Sequence, residues 1–214
     1  MKTDIIIPTN RYIDELTDII KDIKANTDMS KYNLIVTCLQ VSAATNRNYG
    51  LIQANSEKVI MLDDDISGFY PGWADDMLKP LKDNVMMVSA RLMNIPDEVG
   101  VMMDIKPDLT KPLQVVNTFY DIKDSETDKT VPVKAVPSAC IAFYNDREVY
   151  FDEGYIGAGF EDTDICFQMC CKYPEKQIVI NNECKLIHKN EMKNQLQGQL
   201  QKNQLYFQHK WGLQ

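Results

Sequence analysis

The chain has 214 residues, 44% of them hydrophobic and 25% charged, and a formal net charge of -8 at pH 7, which is the composition of a globular protein with one large domain or two small ones. No apolar run is long enough to span a bilayer and the first residues do not form a signal peptide, so we expect a cytoplasmic protein without membrane insertion. The negative charge argues against a protein that binds nucleic acid through its phosphates, because that contact usually needs a basic surface.

The first half of the chain alternates short apolar runs with segments of helical periodicity. The apolar runs predict four strands, at Ile5–Thr9, Tyr32–Leu39, Lys58–Leu62 and Val85–Ala90. The segments between them predict three helices, at Tyr12–Asn26, Thr45–Ala54 and Pro71–Leu81. This alternation indicates a parallel, Rossmann-like half, in which right-handed crossovers bring the strand ends to one edge of the sheet.

The second half of the chain is less regular. Two segments, Val101–Pro112 and Asp121–Pro132, look rich in loops. The remaining pattern predicts an extended run, a helix with an acidic first turn, two short strands and a polar final helix, at Lys134–Tyr144, Phe160–Lys172, Gln177–Ile180, Cys184–His188 and Glu191–Trp211. No internal repeat and no linker divides the chain, so we expect a single domain.

The six cysteines mostly lie within apolar stretches, and none of them forms a CxxC pair. The sequence therefore predicts buried, reduced thiols rather than a zinc site or a redox pair.

Three consecutive carboxylates, Asp63, Asp64 and Asp65, follow the predicted strand Lys58–Leu62. Because side chains alternate along a strand, Asp63 and Asp65 are expected to point the same way and Asp64 the other. Two converging carboxylates at a strand end form a hard-oxygen site for Mg²⁺ or Mn²⁺. The alternative is an acidic turn or a helix start that gathers Asp for capping.

Five segments follow one another in the order and spacing of the motifs of a known family. They are Ile5–Thr9, Asn46–Gly50 with Ala54, Leu62–Asp65, Gly157–Asp164 and Lys210–Gly212. In these motifs the chain resembles glycosyltransferase family 2, which has the GT-A fold. The resemblance covers nearly the whole chain and implies a single α/β domain with a Rossmann-like mixed sheet flanked by helices. It further implies a nucleotide-binding half at 1–95, an acceptor-binding half at 96–190, and a C-terminal helix or lid at 191–214.

The resemblance also implies an activity: inverting, metal-dependent transfer of a sugar from a nucleotide sugar, by default a UDP-sugar, to an acceptor hydroxyl. Asp65 and His188 are then expected to hold Mn²⁺ or Mg²⁺, with Asp63 near the ribose and the metal-bound waters. Asp64 either points away from the metal in a capping role or contributes to nucleotide-sugar binding.

The acceptor side of the resemblance rests on the segment Gly157–Asp164. Asp162 is expected to be the general base that takes the proton of the acceptor hydroxyl, and Glu161 either binds the acceptor or orients the loop. Alternatively, these carboxylates only favour the start of a helix. Glycines at 154, 157 and 159 suit a loop that approaches a ligand closely or adopts positive φ.

The donor side is expected to include Pro8 and Thr9 beneath the nucleotide. Arg11 either approaches the diphosphate or has a capping or surface role. Arg47 binds a phosphate, pairs with a carboxylate of the triplet, or is an arginine on the exposed surface of its helix. The chain departs from the family after its second strand, where Thr37–Ser42 stands in place of the Asp that reads the uracil edge. Thr37 or backbone groups would then have to replace that contact.

Two other functions remain open at this stage. One is a sugar nucleotidyltransferase, although Pro8–Tyr12 lacks the glycine-rich basic loop that such enzymes carry after the first strand. The other is a catalytically silent module that binds a nucleotide or sugar, while a metal-dependent nuclease is disfavoured by the acidic charge. The acceptor of a transferase is not identified, and a polysaccharide, a lipid carrier, a protein and modified-base DNA all fit.

Overall fold

The computed structural model describes residues 2–82, 84–93, 101–107, 115–121, 129–189 and 197–212, with 101–107, 115–121 and residue 197 described by their backbone. The first part of the chain contains six strands and helices that alternate in the predicted order. They are β1 (Thr3–Thr9), a 3-10 helix (Ile13–Leu16) continuing into α1 (Thr17–Asn26), β2 (Tyr32–Cys38), α2 (Ala43–Gln53) and β3 (Lys58–Leu62). These elements agree with the predicted ones to within about two residues at most ends.

The rest of the chain adds seven strands and three helices among the described residues. They are β4 (Ile66–Ser67), α3 (Trp73–Leu78), β5 (Val85–Met93), β6 (Val101–Pro107), β7 (Val115–Asp121), β8 (Thr130–Val133), β9 (Cys140–Tyr144), α4 (Glu161–Lys172), β10 (Gln177–His188) and α5 (Gln197–Lys210). No helix in these ranges is long and apolar enough to cross a membrane.

The main sheet is mixed and has the order β2-β1-β3-β9-β5-β10-β4, with β8 also paired to β10. β1 runs parallel to both β2 and β3, and β10 runs parallel to β5. The predicted parallel half is wrong in one respect, because antiparallel β9 lies between β3 and β5. Local periodicity does not reveal such an insertion, since β9 comes from a distant part of the sequence.

Two further predictions need correction. The segment Val101–Pro112 was expected to be loop-rich, yet Val101–Pro107 pairs with β7 as an antiparallel hairpin. The two short strands predicted at the end of the sheet are one strand, β10, with an irregular register between Asn181 and Lys185. At this irregularity the side chain of Asn181 donates to the carbonyl of Asp76 and accepts from the backbone amide of Glu183. The predicted final helix is present over Gln197–Lys210, and the part of that prediction at 191–196 lies outside the described residues.

Side chains of the central strands alternate between two cores. Ile6 packs with α2 and α4 on one face, whereas Ile5 and Ile7 pack with α1 and α3 on the other. Helix α2 lies very close to β1, since a Cβ atom added at Gly50 would stand 2.4 Å from Cγ2 of Ile6. All six cysteines are free thiols, as predicted, although Cys38 and Cys171 are exposed.

Candidate active site

Strand pairing brings the acidic triplet next to His188. After β3 ends, the amide of Asp63 donates to the carbonyl of Ala139, and the chain turns at once into β4. In the antiparallel pair of β4 and β10, His188 stands opposite Ile66. The backbone pairing therefore places the imidazole beside Asp65, with Nε2 of His188 lying 3.3 Å from Oδ1 of Asp65.

Three side chains at this edge form a potential metal site. One ligand atom from each of Asp63, Asp65 and His188 lies within 4.8 Å of the other two. Burial lowers the pKa of His188, but its hydrogen bond to Asp65 and the nearby negative charge outweigh burial and raise the pKa above 6.5. Two carboxylates and an imidazole are a donor set that suits Mn²⁺ well and Mg²⁺ less well. The residues present therefore fit the divalent cation that the sequence implies.

Asp64 points to a different neighbour, as side-chain alternation predicts. Its carboxylate accepts a hydrogen bond from the hydroxyl of Thr9 and lies 3.3 Å from Nε of Arg11. Burial raises the pKa of Asp64, although Thr9 and Arg11 act in the opposite direction. Asp64 and Arg11 thus tie the loop after β1 to the triplet.

Arg47 of α2 connects the triplet to the start of α4. Its Nη2 lies 2.9 Å from Oδ1 of Asp63, and its Nη1 lies 2.7 Å from Oε1 of Glu161. The guanidinium is buried and stands over the ring of Phe151, 5.4 Å from its centroid. Arg47 thus pairs with the triplet through Asp63, and its burial rules out the exposed helix position that the sequence had left open. Within the described residues, Oε2 of Glu161 is buried and has no hydrogen-bond partner.

Asp162 occupies the first turn of α4, beside Glu161. Its Oδ1 accepts a hydrogen bond from the amide of Thr163 at 2.7 Å. Burial and the charge of Glu161 raise the pKa of Asp162 to about 7, against the opposing charge of Arg47. A carboxylate with a pKa near neutral is suited to accept a proton at neutral pH.

The remaining donor-side residues are structural in their contacts. Pro8 is a buried residue within β1, opposite Thr37 in the parallel pairing with β2. The hydroxyl of Thr37 is buried and donates to the carbonyl of Asn46 at 3.2 Å. That proton is already used within the protein, and the roles predicted for Pro8 and Thr37 at the nucleotide stay predictions.

Two residues that sequence reasoning gave no role flank Arg47. The side-chain Nδ2 of Asn46 donates to the backbone carbonyl of Thr9 at 2.6 Å and so holds the end of β1. The side-chain Nδ2 of Asn48 donates to the backbone carbonyl of Phe151 at 2.8 Å, and the side-chain Oδ1 of Asn48 accepts from the backbone amide of Phe151 at 2.9 Å. The sequence signal that could have identified these residues is the run of three consecutive polar residues, 46–48, in a helix that packs on the sheet. Each of the three side chains contacts a different strand end or loop.

Sequence reasoning also missed Asp164 as the anchor of the C-terminal helix. This fully buried carboxylate accepts hydrogen bonds from Nε1 of Trp211 at 2.8 Å and from Nζ of Lys210 at 2.9 Å. It also accepts from the hydroxyl of Tyr155 and the amide of Gln168. Helix α5 is therefore fastened to α4 close to the carboxylates of its first turn.

A separate cavity of about 480 Å³ lies at the opposite edge of the sheet. Its walls include Tyr144, Tyr173 and Lys176, and Tyr144 pairs with Lys58 at the start of β3. The acidic triplet follows the other end of that strand, so this cavity is not part of the site.

No family model and no curated protein sequence matches the chain. Solved structures do match it, among them GalNAc-T7 with UDP, GalNAc and Mn²⁺, at a TM-score of 0.67 and 12% identity over 98% of this chain. A second match is glucosyl-3-phosphoglycerate synthase from Mycobacterium tuberculosis with Mn²⁺, UDP-glucose and phosphoglyceric acid, at a TM-score of 0.65 and 11% identity. The match to the synthase covers the whole of this chain and 80% of the synthase. The match to GalNAc-T7 covers only 48% of that protein, so this chain spans about half of its length.

These matches concern the fold, because identities of 10–12% carry no residue-level equivalence. The mixed sheet flanked by helices is the architecture of GT-A glycosyltransferases, and the predicted fold class is confirmed.

Proposed function

We propose that the protein is a metal-dependent glycosyltransferase that moves a sugar from a nucleotide sugar to an acceptor hydroxyl with inversion. The observation that carries the proposal is the cluster of Asp63, Asp65 and His188, joined through Arg47 to the two carboxylates at the start of α4. A metal site and a candidate base at one edge of an α/β sheet are the two groups that such a transfer needs. The fold shared with proteins solved with UDP or UDP-glucose and Mn²⁺ supports this proposal and favours UDP as the nucleotide.

Asp65 and His188 are the proposed metal ligands, with Asp63 beside them. A divalent cation held there supplies Lewis-acid stabilisation of the negative charge that grows on the leaving diphosphate. Asp63 also accepts from Arg47, so its carboxylate is held in one orientation toward the cluster. Thr9, Arg11 and Asp64 fix the loop after β1, over which the nucleotide is proposed to lie.

Asp162 is the proposed general base. With its pKa raised to about 7, it is largely ionised above neutral pH and can accept the proton of the acceptor hydroxyl. Glu161 is held by Arg47 through one oxygen, and its other oxygen is proposed to orient the acceptor. Arg47 is proposed to hold the carboxylates of Asp63 and Glu161 at a fixed separation, because each of its terminal nitrogens contacts one of them.

Nucleotide-dependent thermal unfolding tests this proposal. The purified chain is heated with UDP, GDP, dTDP and CDP and with the corresponding nucleotide sugars, each with and without Mn²⁺. A ligand at about 100 times its dissociation constant adds about 2.7 kcal/mol of stability, which for a chain of this size raises Tm by roughly 5–10 °C. We expect a shift with UDP or a UDP-sugar that requires Mn²⁺ and is lost in Asp65→Asn.

The matched control is Asp18→Asn, which removes an exposed carboxylate on α1 and should keep the shift. His188→Ala should raise the Mn²⁺ concentration needed for the shift, and an unchanged titration would leave His188 structural. No shift with any nucleotide would overturn the proposal and return the triplet to the role of an acidic turn.

Product analysis separates transfer from the alternatives. Release of UDP from a UDP-sugar, with a product whose anomeric configuration by NMR is opposite to that of the donor, supports inverting transfer. Formation of pyrophosphate from a nucleoside triphosphate and a sugar 1-phosphate would instead identify a nucleotidyltransferase. Binding without either reaction would identify a silent module.

A further inference from the structure

One side chain of the C-terminal helix holds the loop that leads into α4. Asn203 is 1% exposed, and its Oδ1 accepts a hydrogen bond from the amide of Ile156 at 3.0 Å. Its Nδ2 lies 2.9 Å from the carbonyl oxygen of Ile156, 3.0 Å from that of Gly159 and 3.3 Å from that of Ala158. A single amide therefore engages four backbone groups of residues 156–159, in the way that a capping side chain engages a helix end.

The loop has a backbone that needs such support. Gly157 and Gly159 have φ values of +67° and +106°, and Phe160, which has a side chain, has a φ of +72°. L-residues rarely adopt this left-handed region, and they persist there when their surroundings hold them. The ring of Phe160 packs on Phe207 of α5, with centroids 5.6 Å apart, so the same helix supports both the loop and its strained residue.

The glycines of this loop make room for α5. A Cβ atom at Gly157 would stand 2.1 Å from Nε2 of Gln199, and one at Gly154 would stand 2.5 Å from the hydroxyl oxygen of Tyr206. The sequence had indicated a close approach to a ligand or positive φ. The close approach in the described residues is to side chains of the helix, which means that the loop is shaped against α5.

Phe160 immediately precedes Glu161 and Asp162, and the amide of Asp164 donates to the carbonyl of Phe160 at 2.9 Å. The dihedral angles of residues 157–160 therefore set the direction in which the first turn of α4 leaves the loop. We propose that Asn203 is a positioning residue, which acts through residues 156–160 to hold the Asp162 carboxylate where it meets the acceptor. This inference rests on the proposed function for the role of Asp162.

Helix α5 has a second attachment that does not involve Asn203. Lys210 and Trp211 bind the buried carboxylate of Asp164, and Lys210 also lies 2.5 Å from Oδ2 of Asp152. Substitution of Asn203 should therefore release the loop without detaching the helix. This separation makes a positioning role distinguishable from a contribution to folding alone.

The test compares Asn203→Asp and Asn203→Leu with the control Gln201→Ala, an exposed position on the same helix. Asp keeps the size and the acceptor for Ile156 but loses the donors to the three carbonyls, and Leu loses both. Release of UDP from UDP-glucose and UDP-N-acetylgalactosamine is followed with Mn²⁺, with water as the acceptor probe. We expect kcat to fall at least ~10-fold in both variants. The KM for the donor and the increase in Tm caused by UDP should each stay within ~2-fold of the wild-type value.

Wild-type values of kcat in both Asn203 variants would overturn the proposal, and so would equal losses in kcat and in UDP binding, which indicate general destabilisation. Amide hydrogen exchange supplies a readout that is independent of turnover. We expect residues 156–162 to lose protection in the Asn203 variants and to keep it in Gln201→Ala. If the wild-type chain releases no UDP from any nucleotide sugar, the proposed function fails, while hydrogen exchange still decides whether Asn203 holds the loop.

Discussion

The edge with the proposed metal site, here called the metal edge (Asp63–Asp65 and His188), and the loop before α4 (residues 151–160) are connected through Arg47, yet they are held in place by different means. At the metal edge, backbone hydrogen bonds position each residue: the amide of Asp63 donates to Ala139, and the amide of Lys189 donates to the carbonyl of Asp65. Strand pairing then brings His188 opposite Ile66. Such a site tolerates the loss of one neighbouring side chain, because the sheet keeps its register.

The loop before α4 has one such backbone bond to α2, in which the amide of Ala43 donates to the carbonyl of Gly157 at 2.8 Å, and several side chains hold it as well. Asn48 of α2 holds it at Phe151, Asn203 of α5 holds it at residues 156–159, and the Asp152 carboxylate accepts from the amide of Gly154. A loop held in this way depends on single residues far away in the sequence. The difference predicts that substitutions at the metal edge mainly affect chemistry, whereas substitutions around the loop affect stability and chemistry together.

The largest expected effect is on catalysis, from Asp65→Ala. Loss of a metal ligand removes several kcal/mol of transition-state stabilisation, so we expect transfer to fall on the order of 10³-fold. Because strand pairing holds this edge, Tm without ligands should change by only about 2 °C. Turnover of the nucleotide sugar and ligand-free unfolding are measured side by side, with Asp18→Asn as the control. Normal turnover with Mn²⁺ would show that the metal assignment is wrong.

Arg47→Met should cause the largest loss in the free energy of unfolding. Removing the guanidinium leaves Glu161 buried without its charged partner, and breaking a buried pair in this way costs about 3–5 kcal/mol. Chemical denaturation should show this loss, and Arg47→Lys should recover only part of it, since an ammonium lacks the two-armed geometry. Lys24→Met, which removes an exposed cation from α1, is the control. Equal stability of Arg47→Met and the control would mean that the two regions are not coupled through this residue.

The same difference explains how much the sequence predicted. Strands β1, β2 and β3 are continuous apolar runs, and the carboxylates after β3 mark its end, so local pattern was enough to find them. The insertion of β9 between β3 and β5 and the bulge at Asn181 depend on contacts between distant segments. Asn203 is 47 residues from Ile156, and nothing in the polar, glutamine-rich helix around it distinguishes this residue from its neighbours. Likewise, the sequence offered the triplet as a partner of Arg47, but its second partner, Glu161, lies 114 residues away and is visible only in three dimensions.

Asp162→Asn should uncouple chemistry from binding on the acceptor side. The amide has nearly the same shape but cannot take up a proton, so we expect transfer to fall at least ~10²-fold while the unfolding shift with UDP and Mn²⁺ is retained. In the wild-type chain kcat/KM should rise with pH through about 7, as Asp162 of the free enzyme loses its proton. A variant that transfers at the normal rate, next to the control Glu175→Gln, would remove Asp162 as the base.

The smallest expected effect is a pH-dependent gain in stability in the same Asp162→Asn variant. The folded-state pKa of about 7 lies above the ordinary value of 3.8. Between these values the folded chain binds a proton that the unfolded chain has lost, so this group lowers stability as pH rises through that window. Asn removes the penalty, and we expect the variant to be about 1 kcal/mol more stable than the wild type at pH 8, or about 2–4 °C in Tm.

The gain should shrink toward pH 5 and vanish near pH 4, and Asp152→Asn provides a control of opposite sign. Burial raises the pKa of Asp152, but its hydrogen bonds to Lys210, Gly154 and Tyr206 outweigh burial and lower the pKa below 3.8. Ionised Asp152 therefore stabilises the fold above that value and loses this contribution as pH falls through its folded-state pKa. Asp152→Asn should be less stable than the wild type at pH 8. If Asp162→Asn is also less stable than the wild type at pH 8, the ionised Asp162 carboxylate does not lower the stability of the fold. The two regions would then differ only in their effects on catalysis.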